Sequence, residues 1–130
     1  AALFAAHGVD VAARPRADTS VATLLFHRNA RPVLVGSYAL ATEDMMTRQA
    51  SAFIIAEEGQ DGYHPAFVRF HEGRNPEVER SELLDALDLD GDGSPEVVLQ
   101  NSYWESWDYT ILARDEVGWV EAYRGAGGGC

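Results

Sequence analysis

The stretch DLDGDGSPE, residues 88 to 96, lies between two apolar runs, LLDAL (83 to 87) and VVLQ (97 to 100). Its acids are Asp88, Asp90, Asp92 and Glu96, with two glycines among them. Carboxylates this close together repel one another, so something must compensate their charge. The apolar runs predict a strand on each side. The sequence therefore predicts a β-hairpin over residues 83 to 101, closed by an acidic loop.

The rest of the chain is mostly a series of short segments rich in β-branched and aromatic residues, each bounded by turn formers. They are VATLLF (21 to 26), PVLVGSYAL (32 to 40), SAFIIAE (51 to 57), PAFVRFHE (65 to 72), EVVLQNSYW (96 to 104), DYTILAR (108 to 114) and GWVEAYR (118 to 124). Alternation places Ala66, Val68 and Phe70 on one face of the fourth segment. Arg69 and His71 then point to its other face. With no alternation of strands and helices, the pattern predicts a mainly β fold of antiparallel hairpins.

The two ends of the chain read differently from this central region. AALFAAHG predicts a short N-terminal helix that stops at Gly8, followed by a linker through residue 20. The glycine-rich residues 125 to 130 predict a flexible tail. These assignments leave residues 21 to 124 as a single antiparallel β domain, a usual domain size.

Composition narrows the classes of partner. The 130 residues are 46% hydrophobic, which is enough to form a core, and carry a formal net charge of −11. This charge argues against binding to nucleic acid or to an anionic membrane surface. No apolar run approaches the ~18 residues that a membrane-inserted helix needs. Cys130 is the only cysteine, so neither an intrachain disulfide nor a cysteine zinc site is expected.

The spacing of the acids fits a calcium loop. Ca²⁺ takes six to eight oxygen ligands, and acids at alternate positions of a tight turn provide them. Asp88, Asp90 and Asp92 stand at positions one, three and five, Gly93 at six, the backbone carbonyl of Ser94 at seven and Glu96 at nine. An ordinary aspartate-rich turn is the plainer alternative, but it leaves the repulsion uncompensated. Mg²⁺, which demands a rigid octahedron, suits such a loop less well.

The loop differs from an EF-hand. Position twelve is Leu99, where an EF-hand needs a bidentate glutamate, and the following residues predict a strand instead of a helix. The sequence LDLDGDGSPEVVL (87 to 99) instead resembles the calcium-binding hairpin of FG-GAP and VCBS-type repeats, found in integrin-like β-propellers and secreted bacterial proteins. The resemblance implies side-chain ligands Asp88, Asp90, Asp92 and Glu96, a backbone ligand at Ser94, and a propeller-blade-like sheet.

The resemblance leaves the extent of the fold open. The Phe-Gly and Gly-Ala-Pro signatures of the repeat are absent, and the chain has room for about two blades, whereas propellers close with four or more. The chain is therefore either a propeller fragment or a smaller β domain with the same loop. AEEGQDGYHPAFV (56 to 68) aligns weakly with residues 86 to 98, but it is interpreted as an ordinary turn without a metal.

Aromatic residues concentrate near the C-terminal end, as Tyr103, Trp104, Trp107, Tyr109, Trp119 and Tyr123. Alternation places Trp107, Tyr109 and Ile111 on one face of a strand. Filling of the core is the favoured interpretation, and an exposed platform for sugars or a peptide is the alternative. The exposure of the three tryptophans distinguishes the two.

The sequence contains no recognisable catalytic constellation, since no nucleophile elbow and no HExxH motif is present. We therefore expect a noncatalytic extracytoplasmic β domain with a calcium-stabilised loop and a structural, adhesive or display role. The alternatives are a carbohydrate- or ligand-binding module using an aromatic face, and an accessory domain of a secreted hydrolase. Partners would then be a protein or glycan ligand. The resemblance implies a weak calcium affinity, about 10⁻⁴–10⁻³ M, which resting cytosol could not saturate, so we expect a secreted, periplasmic or surface-associated protein.

Overall fold

A computed structural model describes residues 16–24, 32–41, 48–74 and 78–129. These residues form eight strands in two four-stranded antiparallel sheets. The strands are β1 (Arg16–Leu24), β2 (Val33–Ala41), β3 (Arg48–Gly59), β4 (Gly62–Arg74), β5 (Arg80–Leu87), β6 (Glu96–Ser102), β7 (Ser106–Arg114) and β8 (Trp119–Gly129). The predicted antiparallel, mainly β fold is confirmed. The predicted N-terminal helix lies outside the described residues.

Each sheet is a meander, because its strands follow one another in chain order, β1 to β4 in one sheet and β5 to β8 in the other. Antiparallel strands can pair with the next strand of the chain through a short connection, which accounts for this order. Strands β5 and β6 pair from Arg80 opposite Ser102 to Leu87 opposite Glu96. The predicted hairpin around the acidic loop is therefore confirmed. Within the described residues, no helix is long and apolar enough to span a membrane.

One hydrophobic core is shared by the two sheets, which pack face to face. Its buried members are Val33, Val35, Phe53 and Ile55 from the first sheet and Val97, Leu99, Leu112 and Trp119 from the second. Phe67 and Leu83 are partly buried against it. Complete burial of one such side chain contributes about 1.5–3 kcal/mol. The apolar strand residues that the sequence pattern marked out thus hold the sheets together.

Two strands extend into the stretches that the sequence assigned to a linker and to a flexible tail. Strand β1 begins at Arg16, within the stretch assigned to the linker, and β8 continues through Gly129, within the stretch assigned to the flexible tail. In β8, Gly128 pairs with Trp107 and Gly129 with Ser106. A β-carbon at Gly127 would lie 2.0 Å from the carbonyl oxygen of Trp107. The glycines therefore permit a close backbone approach that larger residues would prevent.

A cluster of charged residues also joins the sheets. We call it the arginine cluster and define it by Arg69, Glu79, Asp108, Glu121 and Arg124. Arg69 Nη1 on β4 donates to Asn101 Oδ1 and Thr110 Oγ1, both at 3.2 Å, and its Nη2 lies 2.5 Å from Glu121 Oε2. Asn101 and Thr110 are completely buried. Buried polar groups of this kind require partners, and Arg69 of the first sheet supplies one for each of these two residues of the second.

The second arginine of the cluster lies on β8. Arg124 Nη2 lies 2.6 Å from Glu79 Oε1, and its Nε lies 3.2 Å from Asp108 Oδ2. Desolvation alone would lower the pKa of Arg124, but the charge of Glu79 and the hydrogen bond to Asp108 outweigh it and raise that pKa above its ordinary value. His71 Nε2 lies 3.3 Å from Glu79 Oε2, without the angles of a hydrogen bond. Arg69 and His71 thus face the second sheet.

Candidate metal centre

The acidic loop, residues 88 to 96, connects the ends of β5 and β6. The last strand pair is Leu87 with Glu96, so the intervening residues form the turn of the hairpin. Gly91 and Gly93 have φ angles of 77° and 91°. These values lie in the left-handed region, which glycine adopts without the steric cost that a β-carbon brings. The glycines in the sequence motif therefore allow the chain to turn twice in a short distance.

The structure brings four predicted ligands together. Asp88, Asp90, Asp92 and Glu96 each present a carboxylate oxygen, and these oxygens all lie within 4.8 Å of one another. The aspartates are exposed, whereas Glu96 is buried at the base of the loop. One ligand is thus anchored at the start of a strand while the others are open to solvent.

Backbone N–H groups of the loop orient the carboxylates. Gly91 N donates to Asp88 Oδ1 at 2.9 Å, and Gly93 N donates to Asp88 Oδ2 at 3.0 Å. Asp92 N donates to Asp90 Oδ1 at 3.0 Å. Each carboxylate oxygen has two lone pairs, so such a bond leaves one available for another partner. The hydrogen bonds therefore arrange the loop without exhausting its acceptors.

Two further backbone donors complete this set. Ser94 N donates to Asp92 Oδ1 at 2.8 Å, and Leu89 N donates to Glu96 Oε2 at 2.6 Å. Ser94 is exposed, and the role of its carbonyl as a ligand stays a prediction. Every one of the four acids thus accepts at least one N–H from the loop.

The charge of the loop is not compensated by any ion pair found in the described part of the chain. The ion pairs there involve the arginine cluster and other acids, but none of the four loop carboxylates. The N–H of Asp92 by itself lowers the pKa of Asp90. Desolvation and the charges of Asp92 and Glu96 outweigh it, and the pKa of Asp90 is raised. The loop is therefore a site where a cation would be favoured.

The four carboxylate oxygens lie close enough together to contact one cation. Because each ligand lies about 2.3–2.6 Å from Ca²⁺, oxygens on opposite sides of the ion are about 5 Å apart. The whole spread of 4.8 Å in the loop falls within that distance. Mg²⁺ holds its ligands at about 2.0–2.1 Å, which requires opposite oxygens to approach to about 4.2 Å. The four carboxylates could hold a metal ion.

The other residues singled out in the sequence lie elsewhere. Leu99 is completely buried in the core, which removes position twelve from the loop. Glu57 belongs to the turn-flanking region that aligned with the loop, and its carboxylate instead accepts bonds from Arg114 Nε and Trp119 Nε1. That region joins β3 to β4, whereas the acidic loop joins the first two strands of its sheet. The two turns are not structurally equivalent.

The aromatic residues are divided between the core and the surface. Trp119 is 8% exposed and lies in the core, as the favoured interpretation expected. Trp104 and Trp107 are 59% and 43% exposed.

Comparison with protein-family models, with curated proteins and with solved structures found no match to this chain.

Proposed function

We propose that the chain is a noncatalytic extracytoplasmic β domain whose acidic loop binds Ca²⁺ and thereby fixes the β5–β6 hairpin. The observation that carries this proposal is the convergence of Asp88, Asp90, Asp92 and Glu96 to within 4.8 Å without a charged partner among the described residues. A bound Ca²⁺ would supply the missing positive charge. The role that follows is structural, in adhesion or display.

The sheets lend support to the resemblance with FG-GAP and VCBS-type repeats. Each sheet is a four-stranded meander, which is also the form of one propeller blade. The acidic loop joins the first two strands of the second meander. The proposal includes a propeller-blade-like role for each sheet, within either a fragment of a propeller or a smaller domain.

Thermal melting in chelator, in Ca²⁺ and in Mg²⁺ tests the metal. A ligand that binds the folded chain alone stabilises it by about 2.7 kcal/mol at a hundredfold excess over Kd. We expect Ca²⁺ to raise the Tm and Mg²⁺ to raise it less. Asp115→Ala is a matched control, because Asp115 lies in the β7–β8 turn of the same sheet. The rise in Tm with Ca²⁺ should persist in this variant. Identical melting curves of the unmutated protein in chelator and in saturating Ca²⁺ would refute the site.

The location outside the cytoplasm is part of the same proposal. An exposed loop with few rigid ligands suits the affinity of extracellular calcium modules, about 10⁻⁴–10⁻³ M. Resting cytosol would leave such a site empty. Isothermal titration calorimetry decides the point, since a submicromolar Kd would remove the reason for placing the domain outside the cytoplasm.

The second candidate function is a carbohydrate- or ligand-binding module. The exposure of Trp104 and Trp107 favours it, whereas the burial of Trp119 assigns that residue to the core. An accessory role in a hydrolase gains no support, because His71 lies beside Glu79 in the arginine cluster and not beside a loop aspartate. The two functions are compatible, because calcium and ligand would occupy different parts of the second sheet.

A further inference from the structure

The second sheet has an outer face that points away from the core. Thr110 and Leu112 of β7 are buried towards the first sheet, so the alternate residues Trp107, Tyr109 and Ile111 lie on the opposite face. Tyr123 of β8 pairs with Ile111 and lies beside it on this face. We call these four residues the aromatic platform. Trp107 and Tyr123 are 43% and 47% exposed, so the platform meets solvent.

The two exposed rings of the platform lie against glycines. A β-carbon at Gly128 would lie 2.8 Å from Cζ2 of Trp107, and one at Gly125 would lie 2.9 Å from Oη of Tyr123. The missing side chains of β8 thus leave room for each ring beside the strand, while both residues keep a large exposed fraction. Rings held in this way present a fixed π surface at little cost in side-chain entropy.

Hydrogen-bonding groups flank the platform on the neighbouring strands. Gln100 pairs with Tyr109, and Ser102 pairs with Trp107, so both lie on the outer face. Arg80 and Glu82 are opposite Ser102 and Gln100 on the next strand, and their charged groups are 2.9 Å apart. This ion pair cancels its own charge. The face therefore offers a row of aromatic groups beside amide, hydroxyl and charge-balanced polar groups.

The charge around the aromatic platform distinguishes between neutral and anionic ligands. The chain carries a net charge of −11, and Asp85, paired with Val98, adds an acid to the outer face. Anionic polymers are therefore disfavoured. A neutral sugar chain meets both parts of the face, because its C–H groups are attracted to the negative faces of aromatic rings and its hydroxyls bond to amides and carboxylates.

We propose that the aromatic platform binds a neutral polysaccharide chain, which stacks on Trp107 and Tyr123 and bonds to Gln100 and Ser102. The two rings are four strand positions apart along the sheet, about 14 Å at the usual rise per residue. A chain of several sugar units can span this length, whereas a single sugar unit cannot. The inference specifies the ligand class of the second candidate function and is independent of calcium binding.

Affinity electrophoresis in native gels tests the platform. The gels contain hydroxyethyl cellulose, xyloglucan or mixed-linkage β-glucan as neutral polysaccharides, and alginate as the anionic one. We expect at least one neutral polymer to retard the full chain and alginate not to do so. Trp107→Ala should lower the association constant about tenfold, as for a central aromatic contact. The association constant of Trp107→Phe, which keeps a ring at this position, should lie between those of the unmutated protein and of Trp107→Ala.

Tyr63→Ala is the matched control, because Tyr63 is 40% exposed but lies on the first sheet. It should leave retardation unchanged, and circular dichroism should show all variants folded. Each gel is run with Ca²⁺ and with chelator. Retardation that persists in chelator supports polysaccharide binding by the platform even if calcium has no effect on melting. Either proposal can therefore fail without the other.

Three results would overturn the platform. They are no retardation by any of the neutral polymers, an equal loss in the Tyr63 and Trp107 variants, or a dimer of the unmutated chain in sedimentation that Trp107→Ala converts to monomer. The last would make this face a contact between two copies of the chain.

Discussion

The acidic loop and the arginine cluster both concentrate carboxylates, but only in the cluster do arginines contact those carboxylates. In the cluster, Arg69 and Arg124 lie between the sheets and contact Glu121, Glu79 and Asp108. In the loop, the carboxylates accept only N–H groups from the loop itself, as far as the described residues extend. Each acid of the cluster thus has an arginine partner where the sheets meet, whereas the acids at the end of the hairpin are left for an external cation.

Burial distinguishes Arg69 of the cluster from the three aspartates of the loop. Arg69 is only 11% exposed, and ionised groups in such a place need a permanent partner because water cannot screen them. The loop aspartates are exposed, so water tolerates their charge until a cation binds. The comparison therefore predicts that removing charge damages the cluster and does not damage the metal-free loop.

The largest effect should come from Arg69→Ala. The change removes the positive charge opposite Glu121 and two bonds to buried acceptors, so we expect a loss of about 3 kcal/mol in the free energy of unfolding. Urea unfolding at fixed calcium measures it. The calcium-dependent increment should survive in this variant, and loss of that increment would show that the two regions are coupled.

Asp90→Asn, unlike Arg69→Ala, should not lower the stability of the metal-free protein. The amide oxygen can still accept the N–H of Asp92, while the repulsion that raises the pKa of Asp90 disappears. Without calcium, this variant should melt no lower than the unmutated protein. With calcium it should lack the increment, about 2.7 kcal/mol at a hundredfold excess over Kd. Melting with and without chelator measures both, and a destabilised metal-free variant would contradict the comparison.

Glu57→Ala should have a smaller effect and leave the loop intact. Its carboxylate accepts bonds from Arg114 and Trp119 across the sheets. We expect a loss of about 1 kcal/mol in the free energy of unfolding, as for one partly buried polar contact. The calcium increment should be unchanged. An increment reduced by this variant would give the β3–β4 turn a part in metal binding.

The smallest effect is the pH dependence that two aspartates in turns, Asp115 and Asp90, give to the stability of the fold. The N–H groups of Gly118 and Val117 hold the pKa of Asp115 below 3.8, so its ionised form favours folding above that value, and this contribution is lost as pH falls through the lowered pKa. Asp90 has a raised pKa, so its ionised form opposes folding of the metal-free chain and protonation relieves the opposition.

Melting from pH 7 to pH 3 in chelator compares the two positions. At pH 7, Asp115→Asn should melt below the unmutated protein and Asp90→Asn at or above it. Both differences should shrink in acid as the native aspartates become protonated. Differences of the same sign at pH 7 would show that the two turns are electrostatically alike.

The sequence predicted the acidic loop because all its ligands lie within nine consecutive positions, where spacing alone brings them together. It also predicted the hairpins, since turn residues and short apolar runs are local signals. The arginine cluster carried no such signal, because Arg69 and Glu121 are separated by 52 positions. Alternation placed Arg69 and His71 on one strand face, but only the docking of the second sheet determines what that face contacts.

The tryptophans illustrate the same limit. Trp107 and Trp119 both lie in aromatic strands, and their sequence surroundings do not distinguish them. Trp119 enters the shared core, while Trp107 lies on the outer face. The glycines that the sequence assigned to a flexible tail belong to a paired strand, because β7 supplies the partner that local composition cannot reveal.

The meander order of both sheets has a consequence for the way the chain folds. Within each sheet, every strand pairs with its neighbour in sequence, so each ladder closes only a short loop. Contacts between the sheets join residues as far apart as Glu57 and Trp119, 62 positions from one another. The entropy cost of long loop closure therefore falls on one event, the docking of the two sheets. Substitutions at the surface where the sheets meet, more than those in the turns, should govern the rate of that step.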